Sequence, residues 1–216
     1  MAIPNTTGIV VCQMAGTTQA DDNGICQAQS LAAGASATLN GSLVSGGTWD
    51  NYGWGYKVKV SGAADESGTT FIIAGKFYAS NSAGNFSETI TLVGGAVSAT
   101  SALYATRVTG MRVDSATAGA VTLGLAADAC GIPVGLPYGS LYQANYGGTF
   151  GGATIQVKKY NALNQEWLPF GTETGETAAT VKNYEVPAAT VVKAFGTTLS
   201  TTSSIGIDFE IIAKQR

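Results

Sequence analysis

An apolar residue at every second position is the feature that most constrains how this chain can fold. The pattern is clearest in residues 205–211, IGIDFEI, where three isoleucines and a phenylalanine alternate with Gly206, Asp208 and Glu210. Successive side chains of a β-strand point to opposite faces, so this alternation predicts a strand with one buried and one solvated face. No stretch carries an apolar stripe at the i, i+3, i+4, i+7 spacing of an amphipathic helix over three turns.

Predicted strands follow one another at intervals of roughly ten residues, with turns rich in glycine, asparagine and serine between them. They fall at 57–60, 70–77, 86–92, 104–108, 110–114, 120–124, 153–158, 167–170, 182–187, 190–195 and 205–212. The stretch 127–140, ADACGIPVGLPYGS, interrupts this rhythm with two prolines and several glycines. We therefore predict an all-β protein of two antiparallel β-sandwich or jelly-roll-like domains, at 1–130 and 131–216. Residues 1–7 are expected to be either an extended arm that reaches a neighbouring subunit or a frayed end.

The chain carries few charges. Charged residues make up 12% of the sequence, against about 25% in typical globular proteins. The net charge is −3 and no run of lysine or arginine is present, so nucleic acid is not expected as a direct partner. No apolar run approaches the ~20 residues that a membrane-spanning helix requires, and the first residues show no secretory signal. We therefore expect neither a membrane partner nor export.

Histidine is absent from the sequence, which removes the commonest metal ligand and the commonest general base. Three cysteines, Cys12, Cys26 and Cys130, are expected to be reduced and mostly buried, with a Cys12–Cys26 bridge as the alternative. The run 21–24, DDNG, has adjacent acids and no carboxylate following until Asp50, so it predicts a solvated turn rather than a calcium loop. No cofactor and no metal are expected.

Paired carboxylates are the remaining candidates for acid–base chemistry. The pairs are Asp65/Glu66, Glu173/Glu176 and Asp208/Glu210. The first pair begins a predicted turn, the second lies in a polar loop, and the third occupies the solvated face of the last predicted strand. The sequence therefore favours a structural role for each pair, and we predict no catalytic residue and no enzymatic activity.

Aromatic residues form two groups that are candidates for an interface. One group lies in the segment 48–57, TWDNYGWGYK, and the other lies near the predicted domain junction. The candidates are Trp49, Tyr52, Trp54, Tyr56, Tyr138, Tyr142 and Tyr146. Aromatic side chains in such segments can pack in a core, anchor a protein interface or form a platform for a sugar ring. The sequence leaves all three interpretations open. Of the two functional ones, a protein interface and a sugar platform, we predict the protein interface.

Glu88 is an anomaly in the alternating segment 84–92, GNFSETITL. It shares its parity with Phe86 and Ile90 rather than with the threonines, so a regular strand turns its carboxylate toward the apolar face. Either Glu88 lies at an exposed start of the strand, or a bulge changes its register, or it forms an inward ion pair with a cation of a neighbouring strand. We favour the exposed start or a structural ion pair, with Arg107 as the predicted partner and Lys76 as the alternative.

Several segments together resemble a known group of proteins. They are SLAAGASATLNGSLVSGG at 30–47, SGAADESGTTFIIAGKFYASNSAGNFSETITL at 61–92, YATRVTGMRVDSATAGAVTLGL at 104–125, GIPVGL at 131–136 and GGTFGGATIQVKKYNALNQEWLPFG at 147–171. This order of strand and turn motifs resembles small β-rich virion proteins of tailed bacteriophages. The aromatic segment TWDNYGWGY has no counterpart in the shared pattern.

The resemblance implies a structural protein, most simply a head decoration (cement) protein that binds the major capsid protein or other virion proteins. It implies a homo-oligomer that is assembled in the host cytoplasm and located in the virion, and it transfers no catalytic residue. A tail-tube, neck or adaptor protein is the first alternative. A carbohydrate-binding module of a fibre or spike, using Trp49 and Trp54, is the second.

Overall fold

A computed structural model of the chain describes residues 9–15, 21–51, 55–79, 82–93, 95, 97–136, 139–200 and 203–214. These residues form fifteen strands and no helix. The strands are β1 (Ile9–Ala15), β2 (Asp21–Gln29), β3 (Trp49–Asp50), β4 (Gly55–Gly62), β5 (Thr70–Tyr78), β6 (Ala83–Thr91), β7 (Ser98–Val113), β8 (Val121–Cys130), β9 (Val134–Leu136), β10 (Ser140–Thr149), β11 (Thr154–Asn161), β12 (Glu166–Pro169), β13 (Thr180–Val186), β14 (Thr190–Thr197) and β15 (Ser204–Lys214). The prediction of an all-β chain with antiparallel sheets is confirmed.

The chain divides into two compact units, Thr18–Ala129 and Met1–Thr17 together with Cys130–Arg216. The first described strand, β1, pairs with β15 and therefore belongs to the sheet of the C-terminal unit. The sequence-based division at 130/131 did not anticipate this pairing. Residues 1–7, the predicted arm, lie outside the described residues.

In the unit Thr18–Ala129 the sheet runs in the order β8-β4-β7-β5-β6, with β2 paired to β8 and β3 to β7. The centre is β7, a 16-residue strand that pairs with β3, β4 and β5. The hairpin of β5 and β6 has nine consecutive residue pairs, which set Phe71 opposite Ile90 and Ile73 opposite Glu88. Gly75 allows β5 and β7 to approach closely, because a Cβ at this position would collide with the carbonyl oxygen of Arg107.

In the C-terminal unit one sheet runs in the order β1-β15-β10-β13. A second set of strands, β12-β11-β14, is extended by the pairing of β9 with β14. The alternation predicted for 205–211 forms β15, where Ile205, Ile207 and Phe209 are buried and Asp208 and Glu210 are exposed.

Candidate functional site

The aromatic candidates that the structure describes lie in the core. Trp49, Tyr56, Tyr142 and Tyr146 are all buried, whereas Tyr52, Trp54 and Tyr138 lie outside the described residues. Since a side chain buried within its own chain offers no area to a partner, these four cannot form the predicted interface or a sugar platform. Of the interpretations left open by the sequence, the core is the one that the structure shows for them.

Strand pairing explains why Trp49 is buried. It is one of the two residues of β3 and pairs with Val108 in the central strand β7, which leaves its ring 2% exposed. Its ring meets that of Tyr56 edge to face, with 6.4 Å between the centroids and 75° between the planes. This is a preferred geometry of aromatic pairs in cores.

Glu88 lies in the interior of β6, not at an exposed start. Its pairing with Ile73 turns the side chain toward the apolar face, where it is 9% exposed. Its Oε1 accepts hydrogen bonds from the backbone N–H groups of Ala102 at 2.5 Å and Leu103 at 3.1 Å. Its Oε2 has no hydrogen-bond partner within the described part of the chain. The inward direction expected from parity is therefore real, but the partner is the backbone of β7.

The structure does not bring Glu88 to Arg107. Among the described residues, the Arg107 guanidinium forms an ion pair with Asp50, with 3.5 Å between Nε and Oδ2. The alternative partner Lys76 is exposed and pairs with Asn85, three positions from Glu88 in the same strand. The expected ion pair fails because Glu88 follows the buried face of β6, whereas both cations extend into solvent.

Burial raises the pKa of the Glu88 carboxyl above its ordinary value, because the charged form loses solvation. The two amide hydrogen bonds and the positive charge of Lys57 act in the opposite direction and do not cancel the effect of burial. A buried carboxyl with a raised pKa is typical of catalytic acids, so the surroundings of Glu88 decide its role.

Glu88 lies next to a β-bulge in β7. The register between β4 and β7 shifts after Lys57, where extra residues of β7 bulge out of the ladder. The Ser101 hydroxyl accepts a hydrogen bond from the amide of Val58 at 2.9 Å and donates one to the carbonyl of Leu103 at 2.7 Å. Glu88 satisfies two amides of the same bulge. We therefore assign it a structural role as a cap of the bulge.

Glu66 caps a turn in a similar way. Its carboxylate is 1% exposed and accepts hydrogen bonds from the amides of Ala118 at 2.9 Å and Gly119 at 2.8 Å. The neighbouring Asp65 instead accepts a hydrogen bond from the amide of Ser67 at 2.9 Å. The two carboxylates therefore cap different turns.

The other two carboxylate pairs have structural partners or face solvent. The Tyr184 hydroxyl donates to Glu173 at 2.8 Å, and Lys182 forms an ion pair with Glu176 at 3.0 Å. Asp208 and Glu210 are on the exposed face of β15.

A chain of hydroxyl groups begins at Tyr146 and ends at Glu173. The hydroxyls of Tyr146 and Tyr184 are 2.8 Å apart, and the second donates to the Glu173 carboxylate. Burial raises the pKa of both tyrosines far above the ordinary value. Both remain neutral hydrogen-bonding groups, and the ring of Tyr184 stacks on Phe209 with 5.8 Å between centroids. These hydrogen bonds and the ring stacking hold this part of the core together.

Neither of the two cysteines with described side chains forms a disulfide. Cys26 and Cys130 are both buried and unbridged, as predicted, while the side chain of Cys12 is not among those described. The run 21–24 does not form the predicted turn but begins β2. Among the described residues no group of histidine, cysteine and carboxylate side chains could hold a metal ion. In the same part of the chain, no helix has the length and apolar character to cross a membrane.

The sheet of the unit Thr18–Ala129 has an open edge at β6. Strand β6, hereafter the β6 edge, ends the sheet, and β5 is its only partner among the described strands. Phe86 is 41% exposed, and Ser87, Thr89 and Thr91 are also exposed. A strand with one unpaired side presents alternating N–H and C=O groups that can pair with another chain.

A small cavity lies beside this edge. It has a volume of about 310 Å³ and is lined by Asp50, Asn51, Lys76, Tyr78, Ala83, Thr106 and Arg107. A second cavity of about 450 Å³ shares Arg107 and includes Phe86 and Ser87 of the β6 edge. Both cavities are lined by a mixture of charged, neutral polar and apolar residues.

Comparison with known proteins gives no relative for this chain. No protein-family model matches it, and neither a curated protein nor a solved structure matches it.

Proposed function

We propose that the protein is a structural virion protein of a tailed bacteriophage, and most specifically a head decoration protein that binds the major capsid protein. The observation that carries this proposal is the β6 edge. Exposed strand edges are normally protected by charges, prolines or covering segments, because an unprotected edge pairs with other chains. An edge without this protection is expected in a protein that assembles with other subunits.

The β6 edge lacks the usual protection. Its nine residues, AGNFSETIT, contain no proline and one charge. That charge is Glu88, whose carboxylate is buried against the bulge of β7 and does not guard the edge. A partner strand could therefore extend the sheet through backbone hydrogen bonds, a recognition mode that tolerates many partner sequences.

The surface composition supports the same conclusion. A chain with 12% charged residues and a net charge of −3 must form most of its polar surface from neutral groups. Neutral polar surfaces avoid the desolvation cost of buried charges in permanent contacts. The sequence resemblance to phage virion proteins adds the capsid as the partner and a homo-oligomer as the form. Two β-sandwich or jelly-roll-like domains remain the architecture that we propose for it.

The test is the protein content of purified virions from a phage that encodes this chain. A decoration protein should be present in a copy number comparable to that of the major capsid protein. A dozen copies or fewer would instead indicate the neck, the tail or a fibre, and absence from the virion would refute the proposal. The carbohydrate module is not proposed, because no described aromatic candidate is exposed.

Edge variants test the proposed contact itself. Thr89→Lys places a charge on the β6 edge and should reduce binding to undecorated capsids. Thr197→Lys is the matched control, since Thr197 is an exposed threonine of β14, pairs with Thr154 of β11 and lines neither of the two cavities. Equal binding by the two variants and the unmodified protein would exclude the β6 edge as the contact.

A further inference from the structure

Lys193 of the C-terminal unit is a buried lysine, and lysine side chains are rarely fully buried. It lies in β14, and its side chain is 1% exposed. Its Nζ is 5.4 Å from the ring centroid of Trp167 and 5.5 Å from that of Phe195. The two rings meet edge to face, with 5.7 Å between their centroids. The amine therefore occupies a fixed position in surroundings that contain little water.

The buried thiol of Cys130 is the hydrogen-bond partner of this amine. Cys130 ends β8, and the next residue, Gly131, donates its backbone N–H to the carbonyl of Ala194 at 2.8 Å. Gly131 follows Cys130 and Ala194 follows Lys193, so this backbone hydrogen bond holds the thiol and the amine close together. The pair is thus positioned by main-chain hydrogen bonding as well as by its own contact.

The amine is activated by its surroundings. Burial lowers the pKa of Lys193, and the neighbouring Cys130 opposes the shift without cancelling it. A lysine with a lowered pKa spends more time as a neutral amine, whose lone pair is nucleophilic. The site therefore places a nucleophilic nitrogen next to a sulfur that can be oxidised.

We propose that Cys130 and Lys193 form an oxidative modification site, at which hydrogen peroxide converts the thiol and the amine into a sulfenamide cross-link. In the first step the sulfur of Cys130 attacks the peroxide oxygen, the O–O bond breaks, and a sulfenic acid and one water form. In the second step Nζ of Lys193 attacks the sulfur, the S–O bond breaks, and hydroxide leaves with an amine proton as a second water. Sulfur loses two electrons, and the peroxide gains them.

The site directs the sulfenic acid to this product. Sulfenic acids condense with a thiol or with a nitrogen nucleophile when one is in reach. At Cys130 the adjacent nucleophile is the Lys193 amine, and the aromatic wall of Trp167 and Phe195 limits access by thiols from solution. Reaction requires peroxide to enter, and local opening of the four-residue strand β12, which carries Trp167, provides a route.

Cys26 is an internal control of the same chemistry. It is also buried, and its sulfur accepts a hydrogen bond from the Gln29 side-chain amide at 3.1 Å. An amide nitrogen has a delocalised lone pair and is a poor nucleophile. Oxidation of Cys26 is therefore expected to produce no cross-link.

The experiment treats the folded full-length protein with hydrogen peroxide and analyses protease fragments by mass spectrometry. The expected product is a linked pair of peptides containing Cys130 and Lys193, lighter by two hydrogen atoms than the sum of the unlinked peptides. Dithiothreitol should reverse it. Cys130→Ala and Lys193→Met should abolish the linked pair, and Trp167→Ala should speed its formation.

Several results would overturn the proposal. Cys130 could be recovered as a sulfenic or sulfinic acid without a link to Lys193, it could remain a thiol at peroxide concentrations that oxidise Cys26, or the link could contain an additional oxygen. These outcomes are measured in the unmodified protein, so they decide the question even where Lys193→Met fails to fold. Dimedone, which traps sulfenic acids, should compete with the link and lower its yield.

Discussion

Replacing Glu88 tests whether a buried carboxylate holds the bulge of β7 together. Glu88→Ala removes the acceptor of two amides, those of Ala102 and Leu103. A buried donor left without a partner costs about 1–3 kcal/mol. Ala102 is exposed, so water can replace one of the two bonds, and relief of the buried charge offsets part of the loss. We therefore expect a net destabilisation of about 1–2 kcal/mol, or a decrease in melting temperature of roughly 2–4 °C per kcal/mol.

Glu88→Gln is the informative companion, because it keeps an acceptor oxygen and removes the charge. The folded protein raises the pKa of Glu88 above the ordinary value of 4.5. The folded state therefore binds the proton of this carboxyl more tightly than the unfolded chain does. The resulting stabilisation is fully present below the unfolded pKa and is lost as the pH rises through the raised pKa of the folded state. Relative to Glu88→Gln, the unmodified protein should become less stable from acid to neutral pH.

The assay is thermal or urea unfolding of the three proteins across that pH range. A constant difference between the unmodified protein and Glu88→Gln would show that the carboxyl titrates normally. A difference of opposite sign would show that the amide hydrogen bonds outweigh burial. Unchanged stability in Glu88→Ala would refute the capping role, because neither amide would then depend on the carboxylate.

Three other substitutions probe the remaining contacts. Glu66→Ala should destabilise the protein by about 1–3 kcal/mol, because two turn amides lose their acceptor. Urea unfolding measures it against Asp65→Ala, which should cost less because the amide that Asp65 caps, that of the exposed Ser67, can bond to water instead. Tyr146→Phe should cost about 1 kcal/mol, because Tyr184 loses one hydroxyl partner, and an unchanged unfolding midpoint would contradict the network. Gly75→Ala should cost about 1–3 kcal/mol by forcing β5 and β7 apart, and loss of amide-exchange protection in these strands would report it.

Strands with strict alternation could be predicted from the sequence. The segments 57–60, 70–77, 86–92 and 205–212 correspond to β4, β5, β6 and β15, with end residues that differ by a few positions. In these strands one face packs against a core and the other faces solvent, so buried and exposed positions can be predicted from the order of apolar and polar residues.

Features that depend on contacts between distant strands could not be predicted. Strand β10 was hidden because the sequence around it reads as a glycine-rich junction, although Tyr142, Ala144 and Tyr146 on its inner face are buried. The segments 104–108 and 110–114, predicted as two strands, are one strand, β7, whose bulges accommodate the break in pattern.

In the candidate site, too, local sequence predicted some features, and contacts between distant strands determined the others. Parity indicated that Glu88 turns inward, but its partners are backbone amides, which carry no residue signature. Lys193 gave no signal in the sequence, because a lysine in a strand normally faces solvent, whereas Val192, Lys193 and Ala194 are consecutive buried residues of β14. Only the pairing of strands places it against Trp167 and Cys130.

Salt dependence distinguishes the two contacts that the unit Thr18–Ala129 offers to a partner. Association through the β6 edge relies on neutral backbone hydrogen bonds, so its affinity should change little with ionic strength. Association through the cavity of Lys76 and Arg107 relies on charges, which salt screens as the Debye length falls from ~10 Å at 0.1 M to ~3 Å at 1 M. We predict capsid binding that is nearly constant over this range and is unaffected by Lys76→Gln. A steep loss of binding with salt, together with sensitivity to Lys76→Gln, would move the contact from the strand edge to the cavity.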